Sequence, residues 1–222
     1  MKIDQITHTK RRTIALIVDH DGRLIVRAPL RATQKQILQV VERKADWIIS
    51  KQALANTRLA QFVPKAYVNG EEFFYLGKPY TLVIQGNAQP PLRLGDQFYI
   101  SSKVLTRAEM VFKKWYTDQA KKVITDRVND IAAIHGFIYR QVKITSAQTR
   151  WGSCSPLGNL NFSWRLVMAP VQVIDYVVIH ELVHLQVKNH SRRFWVKVKA
   201  ILPGYAQQLS WLKTYGHMLR LE

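Results

Sequence analysis

Residues Val177–Trp195 read VVIHELVHLQVKNHSRRFW and place His180, Glu181, His184 and His190 in an otherwise apolar helical pattern. Polar side chains at buried positions cost free energy unless a partner satisfies them. A helix that carries these side chains among Val, Ile and Leu therefore needs a partner for them. The stretch predicts a binding site.

The string H-E-x-x-H indicates which partner this is. His180 and His184 are one helical turn apart, so both imidazoles can reach one metal ion from the same face. Glu181 lies roughly 100° further round the helix, where it can hydrogen-bond a water on the metal without being a ligand. The pattern favours a zinc site with Glu181 as general acid/base.

A catalytic zinc needs a third protein ligand. No Asp follows Glu181, and the only later Glu is Glu222, so the candidates are His190 and His217. His190 would lie about 15 Å from His180 along a continuous helix, and the helix must therefore end between them.

Two residues are predicted to mark the end of this helix and the start of the next. Asn189 is a candidate left-handed C-cap, and Ser191 is a candidate N-cap for a following helix, Arg192–Leu202. A reversal at 188–189 would bring His190 back to the pair, and His190 is the predicted third ligand. The alternative is an ordinary buried helix with hydrogen-bonded histidines, which the combined spacing of three histidines and Glu181 disfavours.

The composition is that of a globular protein. The chain has 222 residues, 47% of them hydrophobic and 22% charged, and Cys154 is its only cysteine. No internal disulfide is possible, which fits a reducing compartment. No window of 18 uncharged apolar residues predicts a membrane span, and the N-terminus lacks a signal-peptide pattern. We expect a cytoplasmic protein without a membrane partner.

The net charge is +18, from 33 Lys and Arg against 15 Asp and Glu. Both halves of the chain are basic, so no single tail carries the excess. Such a surface attracts nucleic acid, nucleotides or anionic lipid. The alternative is a generally basic protein without a specific anionic partner.

Hydrophobic periodicity predicts a β-rich N-terminal region with one helix. Two strands, 13–18 and 23–28, flank a turn signal at 19–22. Thr33 and Gln36 form a capping box for a helix that runs to about residue 55, and a meander is expected over 67–101.

The second half is predicted to be mainly helical. A long helix is expected from Arg107 to His135 with Gly136 as its C-cap. Two strands, 142–149 and 160–166, form a hairpin around 156–158, and Pro170 suits the first turn of the helix that carries His180. The fold class is α+β: a zincin-like metal-binding helical half with a β-hairpin, preceded by a small β-rich region. We treat 1–222 as a single unit with sub-regions 1–104 and 105–222.

The chain resembles the YgjP-like metallopeptidase family. The resemblance rests on TRWGSCSPLGNLNFSWRLVMAPVQVIDYVV at 149–178 followed by HELVHLQVKNHSRRFW at 180–195. That family is similar to the SprT and WLM zincins. The resemblance implies that His180, His184 and His190 bind zinc, that Glu181 is the catalytic acid/base and that the substrate is a peptide or an unfolded protein.

Further residues are candidates for roles around this site. Arg150, Tyr205 and His217 are candidates for stabilising an oxyanion. The segment 151–155 is either an edge to which a peptide adds as a strand or a turn that packs Trp151.

Two other functions compete with the peptidase. One is a metal-dependent hydrolase of a nucleotide or another phosphoanhydride, which would use the same three histidines and the basic charge. The other is a nucleic-acid-binding protein with a structural metal. Glu181 argues against the latter, because a structural zinc takes a fourth ligand and needs no acid/base neighbour.

Overall fold

The computed structural model describes every residue except His20, Phe62, Ala88 and Glu222. The chain divides into two compact units, Met1–Val63 and Pro64–Glu222. None of the helices in the described part of the chain is both long and apolar enough to cross a membrane.

The first unit is a three-stranded sheet with two helices. Its elements are β1 (Gln5–Thr9), β2 (Ala15–Val18), β3 (Leu24–Pro29), α1 (Gln34–Arg43) and α2 (Ala45–Gln61). The sheet order is β1-β3-β2, with β1 parallel and β2 antiparallel to β3. Alternate residues of β3 bury Leu24, Val26 and Ala28 against Ile37, Val41 and Ile48, as expected for a half-buried strand.

The predicted hairpin and capping box of this unit are confirmed. β2 pairs with β3, although His20, in the predicted turn, lies outside the described residues. The Thr33 hydroxyl accepts from the Gln36 amide at 3.3 Å, and the Gln36 side chain accepts from the Thr33 amide at 2.9 Å.

The single helix predicted after Thr33 is two helices. Lys44, at φ −112° and ψ 17°, departs from helical geometry and separates α1 from α2, and α2 then extends to Gln61. The break was not predicted because Lys44 is a good helix former and neither glycine nor proline marks the position.

The described residues of the second unit form two sheets and four α-helices. Its strands are β4 (Glu72–Tyr75), β5 (Lys78–Gln85), β6 (Leu92–Leu94), β7 (Phe98–Ser101), β8 (Gln141–Thr145), β9 (Gly152–Cys154) and β10 (Asn159–Ser163). Its helices are α3 (Ala108–His135), α4 (Val171–Val183), α5 (Arg192–Ile201) and α6 (Tyr205–Tyr215). One core connects them, with the buried side of α3 against the buried side of α4.

The long helix α3 matches its prediction closely. It ends at His135, and Gly136 follows in the left-handed conformation (φ 67°) with its amide bonded to the Ala132 carbonyl. This is a conformation that glycine adopts without strain.

The meander predicted over 67–101 is wrong in its topology. The sheet order is β4-β5-β7-β6, with β5 and β7 parallel. The short strand β6 lies between β5 and β7 in the sequence. In the sheet it is at the edge, where it pairs antiparallel with β7. A meander would need β5 and β7 to be joined by a tight turn, whereas parallel strands require a longer crossover.

The hairpin predicted before the helix that carries His180 is present, but its first strand is β9. The Ser155 amide bonds to Asn159 and the Gly158 amide to Ser155, at 2.9 and 3.0 Å. The turn therefore pairs β10 with the segment immediately before it. The predicted partner, β8, lies on the other side of β10 in parallel register, which leaves β9 at the edge of the sheet.

Candidate metal centre

The helix α4 ends at Val183, one residue before the second histidine of the H-E-x-x-H string. His184 is its C-cap, with its amide on the His180 carbonyl at 3.3 Å. Two tight turns follow, in which Leu185 and Gln186 donate to carbonyls three residues earlier, at 3.0 and 3.1 Å. The chain therefore begins to reverse at His184.

The left-handed C-cap predicted at Asn189 is wrong, because the described non-glycine residues with positive φ are Tyr67 and Leu76. The helix has already ended five residues earlier, at its C-cap His184, so no left-handed residue is needed at Asn189. Instead the Asn189 side chain accepts from the Ser191 amide at 3.3 Å. Ser191 is the N-cap of α5, as predicted, although its side chain makes no capping hydrogen bond.

The loop brings three imidazole nitrogens together. His190 Nε2 lies 2.9 Å from His180 Nε2 and 3.2 Å from His184 Nε2, and the three side chains form a group that could hold a metal ion. Nitrogens bound at about 2.0–2.1 Å to a tetrahedral ion are separated by about 3.3–3.4 Å. The histidine group therefore fits a metal of zinc's size after small adjustments.

The tautomer of His184 also suits metal binding. Its Nδ1 lies 3.0 Å from the Val187 carbonyl oxygen, which can only accept a hydrogen bond, so the proton is on Nδ1. The lone pair of Nε2 then points to the centre of the group. A backbone acceptor of this kind commonly orients a metal-binding histidine.

One buried ring lies beneath all three imidazoles. The Phe194 ring centroid is 4.8 Å from that of His180, 4.5 Å from that of His184 and 4.8 Å from that of His190. Phe194 is in the first turn of α5 and is fully buried. The ring fixes the positions of the imidazoles and excludes water from one side of the group.

The electrostatics favour the neutral form of His180 and His184. Burial, followed by the neighbouring His184 and His190, lowers the pKa of His180 to about 3. Burial is also the main cause that lowers the pKa of His184. Neutral imidazole is the form that binds metals, so protons compete weakly for these two side chains near neutral pH.

Glu181 lies beside β9 with its carboxyl group buried. Its side chain is so close to the backbone of Gly152 that a Cβ at that position would lie 2.7 Å from Glu181 Oε1. Glu181 is 6% exposed, and its Oε2 has no hydrogen-bond partner among the described residues. Burial raises the pKa of Glu181 to about 7, partly offset by the positive charge of Arg150.

The structure places the three candidates for oxyanion stabilisation differently. The charge of Arg150 partly offsets the effect of burial on the pKa of Glu181. Tyr205 lies in an aromatic stack near the histidines. The Tyr205 ring stacks on Trp195 and Tyr176, with centroid distances of 5.4 and 6.4 Å. His217 is on the 3-10 turn Gly216–Met218 near the C-terminus.

Tyr176 lies beside the histidines but was not among the site residues predicted from the sequence. Its ring contacts that of His180 at 5.9 Å, and burial, with smaller effects from Tyr205 and Glu181, raises its pKa to about 12. Its hydroxyl therefore stays protonated near neutral pH. The spacing of four residues before His180, on the same helix face, was the available signal.

Comparison with known proteins identifies the family. A model of the YgjP-like family, described as a metallopeptidase domain, matches residues 12–215. None of the curated proteins matches the chain. Among solved structures, the crystal structure of the metallopeptidase zymogen of Pyrococcus abyssi abylysin is similar, with 23% identity and a TM-score of 0.38 over 41% of this chain and 92% of that one. Because the family match covers most of the sequence, the resemblance is confirmed, and the chain belongs to the YgjP-like family of metallopeptidases.

Proposed function

We propose that the protein is a zinc-dependent metallopeptidase in which His180, His184 and His190 bind the ion and Glu181 is the general acid/base. One observation carries the proposal: His190 Nε2, from the loop after α4, lies 2.9 and 3.2 Å from the Nε2 atoms of His180 and His184, and the same helix presents the buried Glu181 carboxyl group, whose Oε2 has no hydrogen-bond partner among the described residues. Three protein ligands leave a fourth position open, as catalytic zinc sites do. The donor set also favours zinc, since imidazole is a preferred ligand of that ion.

A zinc ion in this group would supply Lewis-acid chemistry, lowering the pKa of a water molecule and polarising a carbonyl. The chain supplies the proton transfer. Glu181 accepts the proton of the attacking water at its carboxylate and returns it to the leaving nitrogen of the cleaved peptide bond. Burial raises the pKa of Glu181 to about 7 in the metal-free site. A carboxyl group buried in this way can be deprotonated at the start of the reaction and protonated afterwards.

The peptide substrate is supported by the position of β9. Among the described strands it pairs with β10 alone, so one side of its backbone is available to an added strand. Its first residue, Gly152, lies against Glu181. An extended peptide paired along β9 would therefore pass the carboxyl group that moves the proton.

The experiment compares zinc-reconstituted wild type with Glu181→Gln, using an unfolded protein, a peptide mixture and nucleoside triphosphates, with products identified by mass spectrometry. The exposed Glu42→Gln is the matched control, since it makes the same chemical change away from the site. We expect the zinc-reconstituted wild type to cleave peptides. The rate of cleavage should fall by about 10²- to 10⁴-fold in Glu181→Gln, at unchanged zinc content, and should be unaffected in Glu42→Gln.

Two other outcomes would contradict the proposal. Hydrolysis of nucleotides without peptide cleavage, lost in Glu181→Gln, would assign the same centre to phosphoryl chemistry. Stoichiometric zinc without any hydrolysis would make the metal structural, with the basic charge serving nucleic-acid binding instead.

A further inference from the structure

The first unit contains a cleft whose lining is rich in arginine. The cavity has a volume of about 610 Å³, and its walls include Arg12, Arg31 and Arg43. All residues that line it belong to Met1–Val63. The cleft therefore belongs to this unit alone and does not depend on the metal centre.

The positive charge of the cleft is not neutralised by the protein. None of the lining residues is Asp or Glu, and none of the three arginines forms an ion pair with the part of the chain that the structure describes. The unit has 12 Lys and Arg against 5 Asp and Glu. Two of these carboxylates already accept backbone hydrogen bonds: Asp4 from Leu24 at 2.7 Å, and Asp19 from Asp21 and Arg23.

The three arginines come from three segments of the unit. Gln36, Gln39 and Arg43 line the cleft from one face of α1 at helical spacing, and the last of them lies about 10 Å along the axis from the first. Arg31 precedes this helix, and Arg12 comes from the segment between β1 and β2. Three guanidinium groups from three separate segments match a chain of anionic groups better than one phosphate.

Neutral hydrogen-bonding groups lie between the cations. Gln39 and Thr13 line the cleft, and among the described residues neither side chain has a hydrogen-bond partner. Guanidinium groups of arginine, with amide and hydroxyl side chains between them, are the groups that contact sugar and phosphate oxygens. The apolar lining residues Ile14 and Val40 are half-buried.

We propose that this cleft binds the sugar-phosphate backbone of single-stranded nucleic acid. A single strand can lie along the open, arginine-lined depression, with the arginines on its phosphates and the side chains of Thr13 and Gln39 on the oxygens between them. The interaction gives the protein affinity for nucleic acid without sequence preference, because phosphate contacts carry no base information. It is independent of the proposed peptidase function.

The test measures binding of the full chain to a fluorescent single-stranded oligonucleotide of about 20 nucleotides, over about 50–200 mM salt. The triple variant Arg12→Ala/Arg31→Ala/Arg43→Ala is compared with Lys103→Ala/Lys121→Ala/Lys122→Ala, which removes the same charge from exposed positions of the second unit. A single variant, Gln39→Glu, places a negative charge in the cleft and retains all three arginines. Thermal unfolding of each variant verifies its fold.

We expect the arginine triple variant to bind about 10- to 100-fold more weakly and to reduce the slope of log K against log salt by about 2, from the loss of three phosphate contacts. Gln39→Glu weakens binding in the same direction, and the lysine triple variant changes affinity by less than about threefold. Equal weakening by both triple variants would overturn the proposal, since general charge would then account for binding. Competition by polyglutamate as effective as by unlabelled oligonucleotide would overturn it too.

Discussion

Gly152 and Glu181 are in such close contact that the glycine has no room for a side chain. A Cβ on Gly152 would lie 2.6 Å from Glu181 Cγ and 2.9 Å from Cδ. Gly152 does not have a positive φ, so its requirement is steric rather than conformational. The edge strand thus approaches the carboxyl group through a position that only glycine can occupy without a shift.

Gly152→Ala should therefore displace Glu181 and leave the three histidines in place. We expect peptidase activity to fall by about 10²-fold or more, because small displacements of a catalytic group cost rates of this order, while bound zinc remains stoichiometric. Rate assays and elemental analysis of one preparation measure both quantities. Gly86→Ala, where a Cβ has no neighbour within 4 Å, is the control. Full activity in Gly152→Ala would show that the contact is not needed for catalysis.

His190→Ala should remove stable metal binding. His190 Nε2 is the atom that contacts both other imidazoles, so its loss opens one side of the group. We expect zinc affinity to fall by more than about 100-fold, above the 10- to 100-fold typical of losing a residue that only supports a ligand. Zinc titration against a chelating competitor measures the change.

The control for this variant is His135→Ala, an exposed histidine at the end of α3. It should bind zinc like the wild type. Unchanged zinc affinity in His190→Ala would exclude His190 as a ligand.

Glu181 should make the metal-free wild type lose stability relative to Glu181→Gln as pH rises. Burial raises its pKa from 4.5 to about 7 in the folded state. The favourable contribution of the protonated form is therefore fully present below pH 4.5 and is lost as pH rises through about 7. In Glu181→Gln the side chain at this position is uncharged at every pH. The difference between the free energy of unfolding of this variant and that of the wild type should therefore increase by up to about 3 kcal/mol between pH 4.5 and 8.

Urea unfolding of the chelated proteins at several pH values measures this difference. Glu42→Gln, at an exposed position, should parallel the wild type. If the difference in free energy of unfolding between Glu181→Gln and wild type does not vary with pH, the Glu181 carboxyl group has an ordinary pKa.

Arg127 on α3 should stabilise the position of α4 through Asp175. The guanidinium donates two hydrogen bonds to the carboxylate, at 2.6 and 2.7 Å. Arg127 is about one-third exposed, so solvent weakens the pair, and we expect Arg127→Ala to lower the free energy of unfolding by about 1–2 kcal/mol.

The comparison for this pair is Lys114 with Asp118, an exposed ion pair within α3. Lys114→Ala should leave thermal and urea unfolding nearly unchanged. Equal effects of the two substitutions would indicate that the link between the helices does not contribute to stability.

Local patterns predicted the helices better than the sheets. The ends of α3 and the capping box at Thr33 follow from nearby residues, because helix and cap hydrogen bonds join residues three or four apart. The break at Lys44 and the parallel pairing of β5 with β7 have no such local signal. Strand pairing depends on residues distant in sequence, and the same alternating pattern fits several partners.

The sequence by itself determined which residue types form the candidate metal centre and that the chain must reverse between His184 and His190. Helical spacing puts His180 and His184 on one face, and a continuous helix would carry His190 too far away. Only the tertiary structure decided that the chain leaves the helix at His184, that Phe194 lies beneath the imidazoles and that β9 borders Glu181. Packing between elements sets these contacts, and it also sets the burial that shifts the pKa of Glu181, which no local spacing can specify.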